Sequence, residues 1–161
     1  MVVLRIAVPE DADAFYELHR ACWREAYAGL MPAEAIERAF SDRVAYVERR
    51  RDRLGDSARP TWLAEQDGVA IGFATAGPAR AETPPVEFEL YGIYARSAYW
   101  GQGVGAALLQ AAVGDRACYL WVLDGNDRAI AFYRRHGFVL DGGREDHPEG
   151  LHLRMVRRSD P

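Results

Sequence analysis

Glycine alternates with other residues in the segment Trp100-Gly101-Gln102-Gly103-Val104-Gly105-Ala106. A strand pattern precedes this segment, and the apolar spacing of a helix follows it. Glycine lets the backbone bend tightly and brings N–H groups close to a ligand, and the start of a helix favours anions. The residues therefore predict a cradle for a diphosphate, although glycine-rich turns between strand and helix also serve packing alone.

A second segment, Asn126 to Phe138, follows an apolar strand pattern and contains Phe132-Tyr133 and Gly137-Phe138. Asn126 is a favourable N-cap, and Gly137 can adopt the left-handed conformation that ends a helix. Tyr133 lies two helical turns after Asn126, so both side chains face the same side. The residues alone leave two alternatives: Tyr133 faces a ligand together with Asn126, or Tyr133 faces the core.

Glu87 and Glu89 alternate with Val86, Phe88 and Leu90 in a predicted strand. Both carboxylates are therefore expected on the strand face opposite the apolar residues. Such a carboxylate can accept a proton from an ammonium group, directly or through water. The alternative is an exposed strand face without a chemical role.

The two segments in this order, each preceded by a strand, resemble the GNAT superfamily of acyl-CoA N-acyltransferases. The glycine turn matches Trp100–Ala106, and the pattern Asn-x-x-Ala-x-x-Phe-Tyr-x-x-x-Gly-Phe matches Asn126–Phe138. The resemblance implies an N-acetyltransferase that moves the acetyl group of acetyl-CoA directly to an amine in a ternary complex. The alternative from another class is a non-catalytic acyl-CoA-binding or sensing domain on the same fold.

The resemblance also implies how the cofactor is held. Backbone groups of Ile93, Tyr94 and Ala95 would pair with the pantetheine arm, as an added strand pairs with a sheet edge. Asn126 would hydrogen-bond that arm, and Ala129 belongs to the same binding motif. The diphosphate would lie on the backbone of the glycine turn, which comprises Gly101, Gln102, Gly103, Val104, Gly105 and Ala106. Trp100 departs from the family pattern, which usually has Arg or Gln at this position.

For the chemistry, the resemblance implies that Tyr133 reaches the thioester sulfur and acts as general acid. Some members place a basic Glu on the strand after the glycine turn, where this chain has Leu120-Trp121-Val122. Glu87 and Glu89 are therefore the candidate general bases. Trp23 and Tyr27 on the first helix resemble the acceptor side of many bacterial members, with core aromatics as the alternative.

The glycine turn also fits the dinucleotide pattern G-x-G-x-x-G/A, with Asp124 at the spacing of a ribose ligand. In that fold the first glycine stands at the end of the strand, whereas here Arg96 to Trp100 intervene. The turn also comes late, after helices and antiparallel strands. A doubly wound sheet is therefore disfavoured.

The chain has 161 residues, 49% of them apolar, and a net charge of −4. These values predict a single domain over residues 1–161 and disfavour a nucleic-acid module, while the acidic balance leans towards cationic acceptors. The histidines have no metal-ligand spacing, and no stretch has the length of a membrane span. The absence of a signal-peptide layout and two unpatterned cysteines predict the cytoplasm, and a homodimer is left open.

Hydrophobic periodicity and turn residues predict an α+β fold with a mostly antiparallel sheet flanked by helices. Asp67-Gly68 predicts a tight hairpin, and Ser41 is the predicted cap of the third helix. Gly92 predicts a bulge or a close backbone approach. The predicted helices are about 10–28, 32–40, 41–54, 103–113 and 126–136, and the predicted strands are 2–7, 61–66, 69–76, 86–95, 117–123, 138–141 and 151–157.

Overall fold

The structure is a computed structural model that describes residues 1–159. The predicted domain extends to residue 161, and its last two residues, Asp160 and Pro161, lie outside the described residues. The strands are β1 Val2–Ile6, β2 Thr61–Gln66, β3 Val69–Pro78, β4 Phe88–Ala95, β5 Cys118–Leu123, β6 Val139–His147 and β7 Gly150–Arg157. The helices are α1 Ala12–Ala26, α2 Ala33–Ala39, α3 Arg43–Leu54, α4 Val104–Ala112 and α5 Asp127–Arg135.

The strands form one sheet in the order β1-β2-β3-β4-β5-β7-β6. All neighbours pair antiparallel except β4 and β5, which are parallel. The predicted α+β fold with a mixed, mostly antiparallel sheet is thus confirmed. Within residues 1–159, no helix combines the length and the apolar character that crossing a bilayer requires.

The hairpin between β2 and β3 follows its turn residues. Asp67 has φ 53° and Gly68 has φ 78°, so both central residues are left-handed. Two consecutive left-handed residues match the right-handed twist of the strands that they join. This hairpin starts the ladder that continues through β4.

Both faces of the sheet are covered, because successive strand residues point to opposite sides. On one face, Leu108 of α4 is 0% exposed and packs with Ala64 of β2. On the other face, Phe15 of α1 is 1% exposed, and its ring centre lies 4.5 Å from that of Phe73 in β3. Helices α1 to α3 therefore share one face, and α4 and α5 share the other.

Two local predictions about the helices were wrong. Asp42, not Ser41, caps α3: its carboxylate accepts from the Ala45 amide at 3.0 Å, while the Ser41 hydroxyl donates to the Arg38 carbonyl. Helix α1 ends at Ala26, before the predicted end.

The start of β4 also differs from the prediction. Its ladder begins where Phe88 pairs with Pro78, so Glu87 precedes the strand. The Glu87 carbonyl still accepts from the Ala79 amide at 2.9 Å, but the residue lies outside the ladder.

Candidate functional site

The centre of the sheet opens where β4 and β5 diverge. β4 stays paired with β3 as far as Ala95, whereas its pairing with β5 is confined to Glu89 opposite Tyr119. A register shift in the β3–β4 ladder leaves Tyr91 without an opposite residue, next to the Gly92 at which the sequence predicted a bulge. A bulge bends its strand and increases the local twist. Within the described residues, Ile93, Tyr94 and Ala95 therefore have no strand partner on the side of β5.

A cavity of about 980 Å³, called here the main cavity, fills this opening. Its lining includes ten of the residues that were predicted to bind the cofactor or act on it. Glu89, a predicted general base, also lines the cavity. Those ten are Ile93, Tyr94, Ala95, Gly101, Gly103, Gly105, Ala106, Asn126, Ala129 and Tyr133. Gln102, Val104 and Glu87 do not line it.

The glycine turn forms the start of α4 beside this cavity. Gly101 has φ 74° and Gly103 has φ 86°, conformations that side-chain-bearing residues rarely adopt. A Cβ atom built on either glycine would meet no heavy atom within 4 Å, so the backbone lies open to a ligand. The amides of Val104, Gly105 and Ala106 belong to the first turn of α4 and have no intrahelical acceptor.

The two turn residues outside the lining have other tasks for their side chains. The Gln102 amide donates to the Ala98 carbonyl at 2.6 Å, and the Val104 side chain is buried in the core. These two residues can contact a ligand only through their backbone. This fits a cradle of N–H groups, which needs no particular side chain.

Asn126 links the end of β5 to α5. The residue is 6% exposed, and its side-chain oxygen accepts from the Ala129 amide at 3.4 Å. The predicted N-cap is therefore present, and Ala129 lies one turn further along the same cavity wall. Since the oxygen is used by the helix, the amide nitrogen of Asn126 is the group available to a ligand.

Tyr133 stands on α5 with Asn126, as the spacing predicted. Its side chain is 7% exposed and packs with the core, yet it also lines the main cavity. Within residues 1–159, its hydroxyl has no hydrogen-bond partner, and burial raises the pKa of the phenol. Tyr133 thus belongs to the core and also lines the cavity, while its contact with a ligand stays a prediction.

The opposite wall consists of aromatic residues from α1 and β4. The hydroxyl groups of Tyr27 and Tyr94 lie 2.8 Å apart, and the Trp23 and Tyr27 ring centres are separated by 5.3 Å. The indole N–H of Trp23 is buried without a hydrogen-bond partner in the described part of the chain. Trp23 and Tyr27 thus belong to the core and line the cavity as well.

Glu89 and Glu87 lie in different surroundings. Glu89 is 2% exposed and forms an ion pair with Arg80, whose Nη2 lies 2.8 Å from its carboxylate. The Arg80 amide and the Tyr119 hydroxyl also donate to this carboxylate, at 2.9 and 3.0 Å. Glu87 is exposed and lies outside the cavity, so the expectation that both occupy one strand face was wrong.

Two arginines at the cavity escaped the sequence analysis. Arg80 comes from the loop before β4, and only the fold brings it to Glu89. Arg128 lies with its guanidinium 3.6 Å from the ring centre of Trp100, whose indole N–H donates to the Ala95 carbonyl at 2.9 Å. The stacked Arg128 places a positive charge beside the glycine turn. The family pattern has a polar side chain, Arg or Gln, at the position of Trp100. Arg128 follows the predicted N-cap by two residues, which was the available signal.

A polar rim from the β6–β7 hairpin completes the main cavity. It contains Glu145, His147, Glu149 and His152, and the two histidine ring centres lie 4.6 Å apart. Burial lowers the pKa of His152, which favours its neutral form. Among residues 1–159, no group of three or more His, Cys, Asp or Glu side chains could hold a metal ion.

Neither cysteine has the chemistry of a nucleophile. Cys22 and Cys118 are both 0% exposed, and burial raises the pKa of each thiol to about 12. The reactive form of cysteine is the thiolate, which is scarce at neutral pH when the pKa is this high. Neither cysteine is therefore a candidate for a covalent intermediate.

Diverging central strands and an open helix start beside one cavity are the features expected of an acyl-CoA-dependent transferase. The profile of the Acetyltransferase (GNAT) family matches residues 12–138. The chain therefore belongs to this family.

Individual relatives agree with this assignment. A probable N-acetyltransferase of Mycobacterium tuberculosis is 25% identical over 142 residues, which cover 86% of this chain and 80% of the relative. The PaiA N-acetyltransferase of Thermoplasma acidophilum, solved with coenzyme A, has a TM-score of 0.80 at 24% identity, covering 98% and 99% of the two chains. YncA of Salmonella typhimurium, a putative acetyltransferase solved with acetyl-CoA, has a TM-score of 0.67 at 18% identity, covering 100% and 95%.

Proposed function

We propose that this protein transfers the acetyl group of acetyl-CoA directly to an amine acceptor within a ternary complex. The observation that carries the proposal is the main cavity, which unites the unpaired edge of β4, the open start of α4 and the hydroxyl of Tyr133. The GNAT family membership and the coenzyme A ligands of two solved relatives support acetyl-CoA as the donor.

The donor is held mainly by backbone groups. Ile93, Tyr94 and Ala95 pair with the amide groups of the pantetheine arm along the free side of β4. The amides from Gly101 to Ala106 hold the diphosphate at the start of α4, where the helix dipole favours negative charge. Asn126 donates its side-chain N–H to the arm next to Ala129, and Arg128 adds a positive charge beside Trp100.

Glu89 is the general base in this proposal, acting directly or through water on the acceptor ammonium. Its place in the main cavity supports it over Glu87, which is exposed outside the cavity. Arg80 and Tyr119 hold the carboxylate in one position with hydrogen bonds of 2.8 and 3.0 Å. As the amine loses its proton, its nitrogen bonds the acetyl carbon and the carbon–sulfur bond breaks.

Tyr133 donates its phenolic proton to the departing sulfur. Burial raises the pKa of Tyr133, so the proton is in place throughout the neutral range. A thiolate that is partly removed from water is more basic than one in bulk water, so the departing sulfur takes the proton more readily within the cavity.

The direct test is a turnover screen of an amine library with acetyl-CoA, followed by release of free thiol. Thiol release that depends on an amine and produces an equal amount of N-acetyl product supports the proposal. Tight acetyl-CoA binding without turnover on any amine would favour the non-catalytic binding or sensing domain instead. The acceptor's identity, the cytoplasmic location and a homodimer stay predictions.

A further inference from the structure

A second, smaller cavity lies on the helical face of the sheet that carries α1 and α3. Its volume is about 250 Å³, and we call it the arginine pocket. Its polar and aromatic lining consists of His19, Trp23, Tyr46, Arg49, Arg50 and Arg53. Arg49 and Arg53 lie one turn apart on α3, and Arg50 follows Arg49 and reaches the Phe15 ring of α1.

These arginines have no carboxylate oxygen within 4.0 Å among residues 1–159. The nearby acids of α1 are engaged elsewhere: Asp13 pairs with Arg43 at 3.3 Å and with Arg51 at 3.6 Å, and Glu17 pairs with Arg43 at 3.7 Å. The pocket therefore collects positive charge that this part of the protein does not neutralise. Buried or half-buried charges are normally paired, because removing an ion from water is costly.

Arg50 is the half-buried member of the group, and its position is fixed on several sides. Its guanidinium lies 4.3 Å from the centre of the Phe15 ring, and its Nη2 donates to the Tyr46 hydroxyl at 3.2 Å. Tyr46 in turn lies 2.6 Å from Nδ1 of His19. The direction of this bond depends on the tautomer of His19. The same Nη2 of Arg50 also lies 3.5 Å from Nδ1 of His19, whereas Nε and Nη1 of Arg50 have no acceptor in the described residues.

We propose that the arginine pocket binds a small oxyanion, either a carboxylate or a phosphate group. The planar fork of a guanidinium matches both groups with paired N–H donors. Arg50 supplies a pre-positioned donor at the base of the pocket, and the exposed Arg49 and Arg53 supply adjustable donors at its mouth. An uncharged ligand would leave the half-buried charge of Arg50 without a counter-ion.

The oxyanion has two sources with the same chemistry. Trp23 lines both the arginine pocket and the main cavity, so the two spaces adjoin at this side chain. The oxyanion is thus either the acidic end of the acceptor or a free anion that binds beside it. The assignment of the oxyanion to the acceptor rests on the proposed transfer to an amine. The binding of an oxyanion in the arginine pocket does not depend on that function.

The binding arm uses inorganic phosphate, titrated by calorimetry at constant ionic strength into protein saturated with coenzyme A. Coenzyme A occupies the glycine turn, and its own titration reports separately on that site. We expect Arg50→Gln and the exposed Arg53→Gln each to weaken phosphate binding about tenfold, the usual effect of losing a charged hydrogen bond. Arg51→Gln, on the same helix but outside the pocket, is the matched control. Arg53→Gln keeps the test valid if Arg50→Gln does not fold.

Phosphate affinity that is equal in the wild-type protein and all three variants overturns the proposal, as does a lack of binding to the wild-type protein. The kinetic arm compares the KM values of β-alanine and β-alaninamide, which differ by one carboxylate. A rise in KM for β-alanine alone in Arg53→Gln assigns the oxyanion to the acceptor. Unchanged KM values together with weakened phosphate binding assign the pocket to a free anion.

Discussion

The hydroxyl of Tyr133 is the single group whose role most sharply separates catalysis from packing. A buried tyrosine hydroxyl usually has a hydrogen-bond partner. Within the described residues, that of Tyr133 has none, although its ring is packed between α5 and the sheet. The hydroxyl therefore contributes little to the folded state, and its value lies in what enters the main cavity.

We expect Tyr133→Phe to lower kcat and kcat/KM together, by roughly 10²-fold, because the hydroxyl acts only as charge develops on sulfur. The affinity for acetyl-CoA is expected to stay within about threefold, and the free energy of unfolding within about 0.5 kcal/mol, since no protein hydrogen bond is lost. Steady-state kinetics, calorimetry and urea unfolding measure the three quantities. A normal kcat in the folded variant would remove Tyr133 as general acid.

Glu89 and Glu87 form a natural pair of test and control. We expect Glu89→Gln to lower turnover by about 10²-fold, because the amide keeps the shape and loses the proton acceptor. Raising the pH should partly restore the rate, since a larger fraction of the acceptor is then already the free amine. Glu87→Gln, on the exposed loop, should leave turnover unchanged. If kinetics over a pH series showed that Glu87→Gln lowers turnover and Glu89→Gln does not, Glu87 would be the general base.

At the scale of elements, two glycines allow the binding of a ligand at the start of α4 to be separated from the effect of backbone strain on stability. Gly103 and Gly142 have φ 86° and 88°, and a Cβ on either meets nothing within 4 Å. Alanine therefore imposes the same backbone strain at both positions. Gly142 lies in the β6 strand region, outside the main cavity.

We accordingly expect Gly103→Ala and Gly142→Ala to lose similar stability, about 1 kcal/mol each. The Gly103 variant alone should bind acetyl-CoA less tightly, by tenfold or more, because its methyl group occupies the space above the cradle. Thermal melts and calorimetric titrations of both variants provide the comparison. Equal acetyl-CoA affinity in the two variants would mean that the diphosphate does not contact this turn.

The elements also show what a sequence can and cannot predict. Local signals, such as Asp67-Gly68 and the Asn126 cap, specify their own backbone and were recognised correctly. Gly92 signalled the bulge in β4, but the divergence of β4 from β5 also depends on a parallel pairing between segments far apart in sequence, which no local pattern specifies. For the same reason Arg80 was missed, since a loop residue meets Glu89 only after the sheet has formed. The resemblance to the family predicted that the edge of β4 holds the cofactor, which periodicity alone did not indicate.

For the whole molecule, the site depends on both faces of the sheet. The wall with Tyr133 comes from the α5 side, and the wall with Trp23 and Tyr27 comes from α1 on the opposite face. His19 of α1 lies 2.6 Å from the hydroxyl of Tyr46 in α3, and its ring lies 5.1 to 5.9 Å from those of Phe15, Phe40 and Phe73. A change in the charge of His19 therefore acts on the packing of a whole layer.

His19 should make this layer sensitive to acid. Burial, with the nearby Arg50 and Arg53, lowers the pKa of His19 to about 3, against 6.5 in the unfolded chain. Between these two values the unfolded chain binds a proton that the folded protein does not, so stability falls as the pH falls below about 6.5. The carboxylates of Asp11 and Glu25, whose pKa values are lowered by Arg5 and Arg96, lose their contribution mainly below about pH 4.5.

The window between about pH 6.5 and pH 4.5 therefore isolates the histidines. We expect the wild-type protein to lose about 1–2 kcal/mol more of its free energy of unfolding across this window than His19→Gln, allowing for partial solvent access to the ring. Glutamine does not titrate, and its oxygen can still accept from Tyr46. Urea unfolding at several pH values measures the difference, with His147→Gln on the exposed hairpin as the control that should follow the wild-type protein. Parallel curves for the wild-type protein and His19→Gln would show that His19 protonates in the folded state without cost, and that the α1–α3 layer opens to water around it.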